Sequence, residues 1–187
     1  EPLSALDRKI RHQMQSELRA IQSTLGTTFI YVTHDQEEAM SMSSRIALMC
    51  EGEITQLASP WDLYMRPACQ FAADFVGDAN LLNARVVATE GGLGLALSDF
   101  VLSGVNVQGH REGDCVQLVI RPEAIQVHDE MPADSRSTIV GTVVASSFYG
   151  FFWMHRIRVG DQELSVRELK ETPTTPHGQQ VWLNLDT

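Results

Sequence analysis

Thr27-Thr28-Phe29-Ile30-Tyr31-Val32-Thr33-His34-Asp35-Gln36-Glu37-Glu38-Ala39 carries the fold class. Residues 27–32 are β-branched or aromatic with little polarity. Such a run predicts a strand buried on both faces, the kind found in parallel sheets. His34 then falls just past the strand's carboxyl end, where open α/β sheets bind ligands. A short helix is expected from about Gln36 to Ser41, with Glu37 and Glu38 solvated at its N-terminus and favoured there by the helix dipole.

Working toward the N-terminus, Leu6, Ile10, Met14, Leu18, Ile21 and Leu25 recur at spacings of four and three, which predicts one buried helical stripe. Ser4 is the expected N-cap, strengthened by Asp7, and Gly26 is a natural stop. Working toward the C-terminus, Arg45–Cys50 and Ile54–Leu57 flank the turn Glu51-Gly52-Glu53 and predict a hairpin. Ser59-Pro60 opens a helix through Tyr64, and a second helix is expected over Gln70–Val76, ended by Gly77.

The texture changes near Gly77-Asp78-Ala79-Asn80, so two domains are expected, residues 1–78 and residues 79–187. Short strands are predicted beyond that point at Leu82–Ala88, Gly94–Leu97, Cys115–Arg121, Ile125–Val127, Ile139–Ser146, Phe152–Val159, Glu163–Arg167 and Val181–Leu185. Many short strands at close spacing point to a small barrel or sandwich.

The 187 residues hold 14 basic and 24 acidic side chains, a formal charge of −10. Nucleic-acid binding needs clustered Lys and Arg, and this chain lacks them, so no nucleic-acid partner is expected. No apolar run is long enough to cross a bilayer. Cys50, Cys69 and Cys115 have no C-x-x-C spacing and are expected to be buried, unpaired thiols. The aromatic cluster Phe148, Tyr149, Phe151, Phe152 and Trp153 is assigned to barrel core or a subunit interface in preference to base stacking. Arg156, Arg158 and Arg167 are assigned to outward strand positions in preference to an anion site.

Glu1-Pro2-x-Ser4-x-Leu6-Asp7, joined at this separation to Val32-Thr33-His34-Asp35-Gln36-Glu37-Glu38-Ala39, resembles the ATP-binding cassette (ABC) ATPases. Ile120-Arg121-Pro122-Glu123 resembles the signature of the TOBE domain, an OB-like β-barrel appended to the ATPases of certain importers. Gln36-Glu37-Glu38-Ala39-Met40 and Leu81-Leu82-Asn83-Ala84 are nearest in texture to the polyamine-type branch.

The resemblance implies an α/β remnant of a P-loop ATPase domain followed by an all-β, OB-like TOBE barrel. Glu1 would be the catalytic glutamate that orients the hydrolytic water. Ser4, Ala5, Leu6 and Asp7 would form the D-loop that couples two nucleotide sites, and His34 would be the switch histidine at the γ-phosphate. It also implies ATP and Mg in the intact subunit, and a second copy of that subunit. Membrane permease subunits and, indirectly, a periplasmic or lipid-anchored solute-binding protein are further implied partners. The implied location is the cytoplasmic face of the inner membrane.

The chain contains no G-x-x-x-x-G-K-[ST] loop, and Leu102-Ser103-Gly104-Val105 only imitates the family's signature sequence. A C-terminal fragment with neither bound nucleotide nor a metal ligand set is therefore expected. It should be inactive alone, since the donors that hold the phosphates dominate catalysis. The alternative is a regulatory and dimerisation module with no catalysis of its own.

Overall fold

The computed structural model describes residues 7–97, 100–103, 105, 107, 109–132, 137–169 and 176–185. The chain divides into two compact units, Glu1–Gly77 and Asp78–Thr187.

In the first unit, α1 spans Arg8–Leu25. Its N-cap is Asp7, whose carboxylate accepts from the Ile10 N–H at 2.9 Å. The expected cap Ser4 lies outside the described residues. Asp7 does the job because its extended backbone lets a short acceptor fold back onto the first turn. Gly26 ends the helix in the left-handed conformation (φ 62°), donating its N–H to the Gln22 carbonyl. The helical period is present, but the stripe is not fully buried: Leu6 lies outside the described residues, Met14 and Leu18 are half-buried, and Ile10, Ile21 and Leu25 are exposed, while the polar Gln15 is buried.

A larger departure follows. Residues 27–33 form no strand, and Phe29, Ile30 and Val32 face solvent, Ile30 at 91%. A parallel strand exists only when neighbouring strands supply its ladder and layers cover both faces. Among the described residues of this unit, the only paired strands are β1 (Ile46–Cys50) and β2 (Glu53–Ala58), an antiparallel hairpin. Its two-residue turn takes positive φ at both Glu51 and Gly52 (52° and 85°), the twist that matches a hairpin.

The remaining helices of the unit are short. They are α2 (Gln36–Met42), α3 (Pro60–Met65) and α4 (Gln70–Phe75). The Ser59 side chain caps α3 at the Asp62 N–H (3.1 Å), with Pro60 pre-set at the first helical position. Ile46, Leu48, Leu63, Ala72 and Val76 form the unit's small core.

The second unit is two antiparallel sheets over one core. One runs β5-β4-β3-β6, from Phe100–Leu102, Gly92–Leu97, Asn80–Thr89 and Cys115–Ile120. The other runs β10-β9-β8-β11-β7, from Gln162–Glu168, Trp153–Val159, Thr138–Phe148, Gln180–Leu185 and Ile125–His128. Alternation explains the core: Leu82, Ala84 and Val86 of β3 and Ile157 and Val159 of β9 point inward, while Arg156 and Arg158 point out. β5 is an addition to the expected strands. Its three residues are too short a run to register as a period.

Asn80 joins the sheets. Its side-chain amide donates to the Ser165 carbonyl (2.8 Å) and the Ile120 carbonyl (3.2 Å), and its Oδ1 accepts from the Ser165 N–H (2.7 Å). The Arg121-Pro122-Glu123 corner is braced next to it. Arg121 is buried and donates to the Asp78 carbonyl at 3.1 Å. Arg167 reaches Glu123 (3.7 Å) and Asp78 (3.8 Å), with its guanidinium 4.8 Å from the Phe152 ring centre.

The cysteines lie where sequence did not put them. Cys69 and Cys115 are exposed and Cys50 is half-buried, because Cys69 caps a short helix and Cys115 opens an outward-facing strand position. Of the aromatic cluster assigned to barrel core or a subunit interface, Phe148, Tyr149 and Phe151 are exposed around the β8–β9 turn, outside the core. They pack on one another instead, Tyr149 stacked on Phe152 at 5.1 Å and Phe148 against Trp153 at 4.9 Å.

Two substitutions test this account. Asn80→Ala would remove the side-chain partner of the Ser165 N–H and of the Ser165 and Ile120 carbonyls, and should cost about 3 kcal/mol of stability in urea unfolding. Gly141→Ala would place a methyl 2.5 Å from Ile157 Cγ2 and 3.1 Å from the Arg158 carbonyl. It should cost about 1–3 kcal/mol in the same assay, through overpacking.

Candidate functional site

The candidate site is the loop that carries His34. Asp35 caps α2, with its Oδ1 accepting from the Glu38 N–H (3.1 Å) and its carbonyl from the Ala39 N–H (3.1 Å). Its second carboxylate oxygen takes a hydrogen bond from Arg11 at 3.2 Å. Arg11 sits one turn into α1, and its own N–H bonds the Asp7 carbonyl (2.9 Å). The helix that Asp7 opens is therefore tied to the residue beside His34. Arg19, lower on α1, adds a bond to the Ser41 carbonyl at 2.9 Å.

The other flank of His34 is held by Glu38. Sequence reasoning assigned this residue to a solvated helix start. The structure buries it to 1% exposure, while Glu37 stays outside. Glu38 Oε2 accepts from Thr33 Oγ1 (2.7 Å) and from the Tyr31 hydroxyl (3.1 Å). The Asp35 N–H in turn donates to Thr33 Oγ1 (3.0 Å). Tyr31 and Thr33 are two residues apart on an extended segment, so both hydroxyls face the same way. That shared face was the available signal.

Burial pushes the Tyr31 phenol above its ordinary value. Its hydrogen bond to Glu38 and the charges of Glu38 and Asp35 push the same way, and Arg11 pulls against them. The neutral phenol is thus favoured in the folded chain. That stabilisation is complete below the ordinary tyrosine range and is lost as pH climbs through the raised value.

His34 itself is exposed. An exposed imidazole between two tethered neighbours can donate a hydrogen bond to an anion. Of the other expected site residues, Asp7 is the α1 cap just described, while Glu1, Ser4, Ala5 and Leu6 lie outside the described residues. Among the described residues, no group of three or more His, Cys, Asp or Glu side chains could hold a metal ion. No helix among them is long and apolar enough to cross a membrane.

The second unit carries a polar array that sequence reasoning passed over. Ser146 Oγ lies 2.8 Å from His155 Nδ1, and Glu168 Oε2 lies 3.4 Å from His155 Nε2. Register alone brings these together: Ser146 pairs with His155 and Glu168 with Trp153, across three neighbouring strands. Arg156 and Arg158 are exposed and reach Glu163 at 3.8 and 3.0 Å, as outward strand positions do.

Residues 118–187 match the TOBE domain family. The chain is 42% identical over 179 residues to a spermidine/putrescine import ATP-binding protein, PotA, of Ruegeria pomeroyi, covering 94% of this chain and 47% of that protein. It is 39% identical to PotA 1 of Pseudomonas aeruginosa (95% of this chain, 46% of the relative). It is also 39% identical to PotA of Trichodesmium erythraeum (100% and 50%). The chain spans about half the length of the curated relatives it matches. A solved structure of the cytoplasmic molybdate-binding protein ModG superposes with a TM-score of 0.49 at 14% identity, over 65% of this chain and 93% of that one. The chain is thus related along most of its length to ABC import ATP-binding subunits of the polyamine type, and it carries a TOBE domain in residues 118–187.

Proposed function

We propose that this chain is the C-terminal part of the ATP-binding subunit of an ABC importer, and that the intact subunit hydrolyses ATP to energise uptake of a polyamine-like solute. The observation that carries the reading is the His34 loop: an exposed imidazole with both neighbours tethered, in a chain 42% identical over 94% of its length to a polyamine import ATP-binding protein. In the intact subunit residues 1–78 would complete the α/β nucleotide-binding domain. The exposed faces of Phe29, Ile30 and Val32 and the apolar stripe of α1 support this, as they are surfaces that further strands and helices would cover. Residues 79–187 would be the OB-like TOBE barrel.

In that subunit Glu1 would orient the attacking water and His34 would donate to the γ-phosphate. The Ser4–Asp7 segment would couple the two sites of a homodimer. ATP and Mg would be held by residues outside this chain, with His34 its direct contribution to the phosphate. Permease subunits in the membrane, at its cytoplasmic face, would receive the motion, and a solute-binding protein would act through them.

A second reading is a regulatory or dimerisation module. It is favoured by the self-contained core of residues 78–187.

Calorimetric titration with ATP and light scattering on this chain separate the readings. No micromolar ATP binding is expected in either case, and a stable dimer would support the module. In the longer subunit, Glu1→Gln should keep ATP binding while turnover falls by about 10² or more. His34→Ala should also impair turnover. Full turnover in either variant removes the role assigned to that residue.

A further inference from the structure

We propose that Glu38 is a positioning residue for His34, its buried carboxylate fixing the flank of the imidazole that the α2 cap does not reach. The proposal rests on the reading of His34 as the phosphate-facing group, and it adds a residue that this reading does not contain.

The geometry is specific. On the N-terminal side of His34, Thr33 is held by Glu38 Oε2 at 2.7 Å, with Tyr31 added to the same oxygen at 3.1 Å. On the C-terminal side, Asp35 is held by the Glu38 N–H at 3.1 Å and by Arg11 at 3.2 Å. The Asp35 N–H closes the bracket onto Thr33 Oγ1 at 3.0 Å. Glu38 thus grips both neighbours, one through its side chain and one through its backbone, while His34 stays exposed.

The energetics argue against a purely stabilising role. Glu38 is 1% exposed, and its Oε1 is buried with no hydrogen-bond partner among the described residues. Burying a carboxylate with one oxygen unpaired is costly, and apolar residues of similar size often serve stability as well or better. A group kept at such a site is better explained by the arrangement it imposes than by net stability.

Two variants separate the roles. Glu38→Gln keeps an acceptor oxygen for the two hydroxyls; Glu38→Leu keeps the bulk and removes the acceptor. In this 187-residue chain, NMR hydrogen exchange should show the Asp35 amide exchanging about tenfold faster in Glu38→Leu, with Glu38→Gln near wild type. The Tyr31 phenol should titrate lower in both variants, since the Glu38 charge is gone while burial, Asp35 and Arg11 remain.

In the longer subunit, Glu38→Leu should lower kcat by about tenfold with KM for ATP within about twofold, because misplacing a group costs the transition state more than the ground state. Glu38→Gln should recover most of that loss. Unchanged Asp35 exchange in Glu38→Leu overturns the proposal. So does unchanged kcat in Glu38→Leu beside an inactive His34→Ala, and that pair of results leaves the transport-motor reading standing. Full turnover in His34→Ala removes the phosphate-facing role of His34 and the proposal with it, while the subunit remains an ATPase.

Discussion

Asn80 stands in for a stretch of backbone. Its side-chain amide presents one acceptor and two donors, and all three are used: an exchange with both peptide groups of Ser165, and a third bond to the Ile120 carbonyl. A strand end that meets a second sheet cannot continue its own ladder across the corner. A side-chain amide of the right reach supplies the missing rungs, and burying it is tolerable only because every polar atom finds a partner. The two sheets share one apolar core. That core needs them held in one relative register, and Asn80 fixes it at the corner that Arg121, Glu123 and Arg167 reinforce.

The first unit is organised by charge rather than by apolar burial. Its core is a handful of residues, and the connection from α1 to the His34 loop runs through Arg11, Asp35 and Glu38. Such a network is directional. It dictates where a backbone turn sits more strictly than apolar packing of the same size would, and the imidazole between its arms is exposed.

Local signals were the readable ones. Gly26, the Glu51-Gly52 turn, Ser59-Pro60 and the alternating strands after residue 80 announce themselves through backbone chemistry that holds in any surroundings. The strand expected over residues 27–32 failed for the complementary reason: its composition describes a neighbourhood, and among the described residues that neighbourhood is absent. Glu38 was misread because a carboxylate near a helix start is ordinarily solvated. Only the hydroxyls of Tyr31 and Thr33, brought close by the turn at His34, make it an interior group. The aromatic turn lies outside the core because ring-on-ring contact satisfies these side chains there. Of the expected site, the exposure of His34 and the helix-opening role of Asp7 are visible in the structure, while Glu1 and residues 4–6 fall outside what it describes.

The outward thiols have a practical reach. Cys69 belongs to one unit and Cys115 to the other, and both meet solvent. In air these sulfurs can bond between molecules, and a pair joined that way has the mass of a genuine dimer. Reducing agent dissolves the sulfur-linked species and spares the packed one, so the redox state of the buffer decides what any measured association means.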